Sequence, residues 1–299
     1  MDIVYENLCD IAGKENISLA EDMKKHTTFK AGGAAKYFAE PETVKQLAAL
    51  LVYLNENHIN YYIIGNGSNL LVQDKGFDGV IVKIGSKMGA VLVNGEEMIC
   101  EAGAFVAKAA NLACEHSLSG LEFAAGIPGM IGGAVTMNAG AYGGEFKDII
   151  EEVWMLDDTG MEICKTADQM EFGYRSSIIQ KKHYVVTKVK LRLKKGEQTQ
   201  ISDIMNGYLK ARREKQPLEY PSAGSTFKRP EGHFAGKLIM DAGLAGMQVG
   251  GAGVSEKHCG FVINKQDATA SDIIELMRQV SDIVYEKYNV RLEPEVKII

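Results

Sequence analysis

Gly126-Ile127-Pro128-Gly129-Met130-Ile131-Gly132-Gly133-Ala134-Val135-Thr136-Met137-Asn138-Ala139-Gly140-Ala141-Tyr142-Gly143 decides how this chain is read. Glycine gives up more conformational freedom on folding than any other residue, so a run this rich in Gly and Ala is costly to order. Two circumstances justify it: another stretch of backbone packs close, or a large flat ligand lies against bare main chain. That density of glycine, with Pro128 among it, suits a membrane-spanning helix poorly, and the run reads as buried loop and turn. Upstream, Gly65-Asn66-Gly67-Ser68-Asn69-Leu70-Leu71 follows the apolar Tyr61-Tyr62-Ile63-Ile64. Two residues without Cβ let N–H groups curl toward an anion such as a diphosphate, although the same residues also make a plain turn. No Gly-Lys-Ser/Thr is present, and Leu70 occupies the third-glycine position of a dinucleotide fingerprint, which disfavours a P-loop kinase and an ordinary Rossmann enzyme.

The rest of the chain bounds the possibilities. Its 299 residues are 46% hydrophobic, enough for a sizeable core and about two domains. A net charge of -6, with both signs interspersed, offers no broad basic surface to nucleic acid. The five cysteines form no C-x-x-C pair and read as reduced thiols, and the six histidines are scattered without metal-ligand spacing, so no metal is expected. The first residues carry no basic region followed by an apolar block, so a cytoplasmic protein without membrane insertion is expected.

Apolar periodicity predicts helices over 41–57, 105–116, 201–213 and 271–288, the last with a stripe of Ile273, Ile274, Leu276, Met277, Val280, Ile283 and Val284. Strands are predicted over 61–64, 79–84, 150–156, 162–164 and 184–193, with a hairpin closed by a primed turn at Asn94-Gly95. The class is α+β. The polar stretch 194–200 is the best boundary, giving lobes at 1–84 and 85–199 and a smaller domain at 200–299.

Three residues point to chemistry. Arg175 in Tyr174-Arg175-Ser176-Ser177 is followed 50 positions later by Ser225 in Ala223-Gly224-Ser225-Thr226-Phe227-Lys228, and Glu295 comes 70 beyond that. A permanent cation, a hydroxyl on a glycine-rich turn and a carboxylate suit one anionic, reducible substrate. Taken singly, each has a plainer reading: a surface ion pair, a turn or helix cap, and a solvent-facing acid. The run Lys210-Ala211-Arg212-Arg213 is either a diphosphate-attracting patch or a solvated helix face.

Together with Gly120-Leu121-Glu122-Phe123-Ala124-Ala125, Phe172-Gly173 and Glu293-Pro294-Glu295, these motifs resemble the UDP-N-acetylenolpyruvoylglucosamine reductase family over nearly the whole chain. The resemblance implies a two-lobed FAD-binding domain of the vanillyl-alcohol-oxidase type followed by a smaller α+β substrate-binding domain. It implies FAD held non-covalently, with Gly65, Asn66, Gly67, Ser68, Asn69 and Leu70 at the diphosphate. Gly126, Ile127, Pro128, Gly129, Ile131, Gly132, Gly133, Asn138, Ala139 and Gly140 would line the flavin. NADPH would reduce the flavin, which would pass hydride to UDP-N-acetylglucosamine enolpyruvate to give UDP-N-acetylmuramate. Arg175 would hold the substrate carboxylate through the enediolate-like transition state. Ser225 would supply the proton, and Glu295, kept neutral beside another carboxylate, would donate a hydrogen bond. Tyr174, Lys228 and Asn264 are expected substrate contacts, and a monomer is expected. The segment after Tyr174 runs directly into Ser176-Ser177-Ile178, which resembles the family's type II members. The competing readings are a related FAD oxidase of alcohols or lactones, and a nucleotide-sensing module without turnover.

Overall fold

The computed structural model describes residues 2–299, which form two compact units, each with a hydrophobic core of its own. Unit 1 comprises the stretch ending at Leu19, with Tyr37–Gly65 and Gly79–Arg212; unit 2 comprises Ala20–Lys36, Asn66–Asp78 and Arg213–Ile299.

Unit 1 is built on a five-stranded antiparallel sheet in the order Glu162–Thr166, Ile150–Leu156, Val185–Arg192, Glu97–Glu101, Val91–Asn94. One face buries Val153, Met155, Val189, Leu191, Met98 and Cys100. On the outer face Lys188 Nζ lies 4.7 Å from the centre of the Trp154 ring. The inner face contacts the short helix Ile131–Thr136. Elsewhere in this unit Tyr61, Tyr62, Ile63 and Ile64 pair in parallel with Val80, Ile81, Val82 and Lys83. The helix Val44–Glu56 starts where Thr43 Oγ1 accepts from Gln46 N, and it buries Leu47, Leu50, Leu51 and Leu54. Each such leucine contributes roughly 1.5–3 kcal/mol. The N-terminal helix Ile3–Ala12 packs on it and ends at Gly13, whose φ of 90° suits glycine.

Unit 2 has a small antiparallel sheet of Gln248–Val249, Ala252–Val254 and Val262–Asn264. The helix Ala270–Tyr288 packs on it through the buried Ile273, Leu276, Met277, Val280 and Val284. The chain's last strand, Lys297–Ile298, pairs in parallel with Leu70–Leu71.

The α+β class stands, while local details differ from expectation. The hairpin pairs Asn94 with Glu97, so its turn residues are Gly95-Glu96 rather than Asn94-Gly95; Gly95 has φ of 62°. The glycine-rich run is not all loop: Ile131–Thr136 is helical because Met130 O and Gly133 O accept from Ala134 N and Met137 N. In the polar stretch 194–200, Lys194–Lys195 pairs with Leu118–Ser119 and a helix, Gln198–Lys215, begins, so charged residues there still complete a ladder. All five cysteines are free, and burial pushes the Cys100 thiol up to about 12. Among the described residues no helix is long and apolar enough to cross a membrane, and no cluster of His, Cys, Asp or Glu is arranged to hold a metal.

The helix Ala270–Tyr288 has a capping box of Thr269 and Asp272, and a second carboxylate serves it from a distant position. Asp74 accepts from Ala270 N and Ser271 N, each at 2.8 Å, and from Ser271 Oγ at 2.6 Å. Partial burial raises the Asp74 pKa, but the Ser271 and Ala270 hydrogen bonds outweigh it and leave the carboxyl below its usual value. A depressed carboxyl stabilises the fold above its unfolded pKa of about 3.9, and that contribution fades as pH falls through the lower folded value. Asp74→Asn should therefore lower the melting temperature at pH 7, by the few tenths to about 1 kcal/mol typical of a carboxylate at a helix start. The gap from wild type should close as thermal scans move below pH 4; a gap independent of pH would rule out this role.

Candidate functional site

The functional residues fall into two groups, one in each unit. In unit 1, most glycines of the flavin-type motifs answer to the chain's own packing. A Cβ at Gly65 would lie 3.2 Å from Met130 Cβ, at Gly126 2.9 Å from Arg212 Cδ, at Gly132 3.0 Å from Ala102 Cβ, and at Gly140 2.7 Å from Gly144 O. Val106 N donates to Gly129 O, Ile127 N to Ala124 O, Ile131 N to Ala104 O and Ala139 N to Ala134 O, so this stretch is stitched into the unit. Gly133 differs. It is exposed, its φ is not positive, and a Cβ there would meet nothing within 4 Å. Bare helical backbone facing open space fits a flat ring system, and nothing in the unit requires glycine at that position.

The same run reaches the turn that carries Arg175. Gly173 and Ser176 exchange backbone hydrogen bonds and Arg175 takes a φ of 54°. Asn138, 2% exposed, donates from Nδ2 to Gly173 O at 3.2 Å and to Glu145 Oε2 at 2.9 Å, and accepts from Lys147 N at Oδ1. Ser177 Oγ donates to Thr136 O at 2.6 Å. Lys147, then Asn138 and the charge of Arg175, hold the Glu145 carboxyl below its ordinary value despite partial burial. The Arg175 guanidinium lies 5.6 Å from the centre of the exposed Tyr174 ring. Asn138, expected to touch the cofactor, thus commits its side chain to shaping this turn.

In unit 2 three distant stretches lie side by side. Gly67 has φ of 61°, and a Cβ there would sit 2.0 Å from His26 O, so only glycine fits. The strand leaving this loop pairs with the chain end: Lys297 N donates to Asn69 O and Ile299 N to Leu71 O. The extended segment around Ser225 pairs with the tail just before it. Phe227 bridges Pro294, Lys228 N donates to Glu293 O, and Glu295 N donates to Thr226 O at 2.8 Å. Asn69 Nδ2 donates to Glu295 O at 3.1 Å. Glu295 is 9% exposed, whereas Ser225, one residue beyond the positive-φ Gly224, is exposed.

Ser225 and Glu295 are therefore brought onto neighbouring strands of one unit, while Arg175 belongs to the other unit with the glycine-rich run. Ser68, Asn66 and Leu70 lie in the loop and strand beside the tail. Lys228 Nζ is 3.1 Å from Glu293 Oε2 in an exposed pair of small energetic weight. Asn264, 7% exposed, donates to Phe29 O and Lys30 O and accepts from Ala268 N, so its amide brackets the interior of unit 2 rather than facing solvent. Sequence reasoning missed Thr226 and the pairing of the tail with Leu70–Leu71; a two-residue strand is too short to show a period.

Comparison with known proteins defines the class first. Residues 35–164 match the family described as FAD binding domain. A glucose dehydrogenase, Phl p 4.0202, shares the fold over 64% of this chain and 44% of its own, at 15% identity and a TM-score of 0.50. The chain thus falls in the class of proteins that carry an FAD-binding domain. Residues 216–299 match the C-terminal domain of UDP-N-acetylenolpyruvoylglucosamine reductase. Proteins of that name from Alkaliphilus oremlandii and Clostridium botulinum are 48% and 51% identical over 99% and 97% of this chain, and 97% and 94% of their own. The crystal structure of the Thermus caldophilus enzyme aligns with a TM-score of 0.81 at 34% identity, covering 94% of this chain and 97% of that one. The chain belongs to the UDP-N-acetylenolpyruvoylglucosamine reductase family.

Replacing Asn264 with Ala strips buried partners from two carbonyls and an N–H at once. A loss of about 2–3 kcal/mol is expected from urea titration with the slope unchanged. An unshifted midpoint would contradict the bracket.

Proposed function

We propose that this protein reduces UDP-N-acetylglucosamine enolpyruvate to UDP-N-acetylmuramate in the synthesis of peptidoglycan precursor, using FAD and NADPH. The reading is carried by the pairing of the Ser225 segment with the Glu295 strand inside unit 2, in a chain whose family membership covers its full length. FAD, when bound, would supply the hydride chemistry that links NADPH to the methylene carbon of the enolpyruvyl group. The protein's residues manage charge and the proton. Arg175 grips the substrate carboxylate with its planar fork and offsets the negative charge that builds there. Ser225 gives its hydroxyl proton to the carbon beside that carboxylate, which is strongly basic once hydride has arrived. Glu295 hydrogen-bonds to the same group, while Tyr174 and Lys228 take the nucleotide-sugar.

The backbone from Gly65 to Leu70 cradles the FAD diphosphate, and the run from Gly126 to Gly140 lines the ring. Residues 1–84 and 85–199 act as the cofactor lobes and 200–299 as the substrate domain. In this reading the protein works as a monomer in the cytoplasm.

Rapid-mixing absorbance of the bound flavin separates the two half-reactions. Ser225→Ala should leave reduction by NADPH within about twofold of wild type and slow reoxidation by the enolpyruvyl substrate by about 10²–10⁴-fold. Equal slowing of both halves would remove Ser225 from the proton step. Wild-type flavin that NADPH reduces but the enolpyruvyl sugar cannot reoxidise would remove the function itself.

Gly133→Ala tests the cofactor face. In the free protein the added methyl should stabilise the helix by about 0.5–1 kcal/mol, because alanine is the better helix former. The same methyl should weaken FAD binding by about 1–3 kcal/mol, roughly tenfold to a hundredfold in Kd. A stabilised variant with unchanged FAD affinity would place the ring elsewhere.

A further inference from the structure

We propose that Thr226 is a positioning residue that fixes Ser225 and Glu295 in mutual register, and that its hydroxyl governs the substrate half-reaction without touching substrate. The proposal rests on the reading of Ser225 and Glu295 above. Thr226 is fully buried and makes three hydrogen bonds, each 2.8 Å long. Its N–H donates to Gly260 O, its carbonyl accepts from Glu295 N, and its Oγ1 accepts from Val262 N. The residue is thus a three-way joint between the strand Val262–Asn264, the turn before it and the tail. Ser225 precedes it directly, and the peptide N–H of Glu295 hangs from its carbonyl.

The joint is braced on both sides. Ser222 bridges Ile263 and Asn264 N donates to Pro221 O upstream, while Phe227 bridges Pro294 downstream. Gly260 is held in turn, since its N–H donates to His258 Nδ1. On the far side of the Glu295 residue, Asn69 Nδ2 donates to its carbonyl. The N–H and C=O of Glu295 are therefore both engaged, one by Thr226 and one by Asn69.

The hydroxyl is the only part of this joint that a side-chain substitution removes. Without it, Val262 N is buried with no acceptor, and the segment shifts to find water or another partner. A shift there moves Ser225 and Glu295 together, and displacement of a reacting group by about 1 Å can cost a hundredfold in rate. Cofactor reduction by NADPH uses neither residue, so a positioning role predicts a split that simple loss of stability does not.

Thr226→Val keeps the volume and deletes the hydroxyl. Per bound flavin, its reduction by NADPH should stay within about twofold, and reoxidation by the enolpyruvyl substrate should slow about 10–100-fold. Thr226→Ser restores the acceptor and should return reoxidation to within about threefold of wild type. Wild-type reoxidation in Thr226→Val, equal slowing of both halves, or failure of Thr226→Ser to recover would overturn the proposal. If Thr226→Val loses its fold, Thr226→Cys, which replaces the hydroxyl with a much weaker acceptor of similar size facing Val262 N, takes its place. It should slow reoxidation more than reduction, and the absence of that asymmetry would overturn the clamp. Ser225→Ala is run in parallel: if it is selective and Thr226→Val is not, the positioning role falls and the reading of Ser225 stands. If Ser225→Ala shows no selectivity, that reading falls, and a selective Thr226→Val then assigns the clamp to Glu295 alone.

Discussion

The pairing of short extended segments from opposite ends of the sequence is the constraint on which unit 2 depends. Backbone N–H and C=O groups removed from water must find partners. Here Leu70–Leu71 and Lys297–Ile298 have two residues each, and each pairs with the other rather than with a strand near it in sequence. Leu70–Leu71 obtains its partners from Lys297–Ile298, and Thr226 and Lys228 obtain theirs from residues 293–295. Removing the last few residues would therefore expose backbone groups of the Asn69 loop. Residues 293–299 are in this way part of the scaffold of unit 2.

Glycine serves two different purposes within the same motifs. At Gly67, Gly132 and Gly140 a side chain would collide with the protein itself, so these residues are fixed by packing whatever is bound. At Gly133 a side chain would meet nothing within 4 Å. The sequence shows one glycine-rich pattern; only the packing separates the glycines held against the chain's own atoms from those, such as Gly133, that face open space. Asn138 makes a similar point: its neighbours suggest a ligand contact, yet its amide organises the turn of Arg175.

Long, strongly periodic elements were legible in the sequence. The stripe from Ile273 to Val284 and the leucines of Val44–Glu56 declare helices because burial repeats every three to four residues. The strands Ile150–Leu156 and Val185–Arg192 were equally plain. What escaped was set by partners distant in sequence: the helix within the glycine run, the ladder at Lys194–Lys195, the docking of the tail, and the internal engagement of Asn264. Local propensity carries no information about a hydrogen bond to a residue 235 positions away. Of the expected chemistry, the residue types were readable from motif resemblance, and the adjacency of Ser225 to the Glu295 strand required coordinates.

Adjacent residues at 225 and 226 divide opposed requirements between them. A hydroxyl offered to a ligand must reach it, and Ser225 stands exposed just beyond Gly224, whose φ is 76°. A hydroxyl held only by such a turn would sample many orientations, and a reaction that depends on alignment would suffer. Thr226 supplies the missing rigidity from the interior, where hydrogen bonds are stronger and an unmade one is costly. Swapping the two residues would keep both hydroxyls but expose the methyl of one and leave a methyl-sized void beside the other. The order Ser-Thr is thus fixed by burial, and the exposed hydroxyl acquires its precision from the buried one beside it.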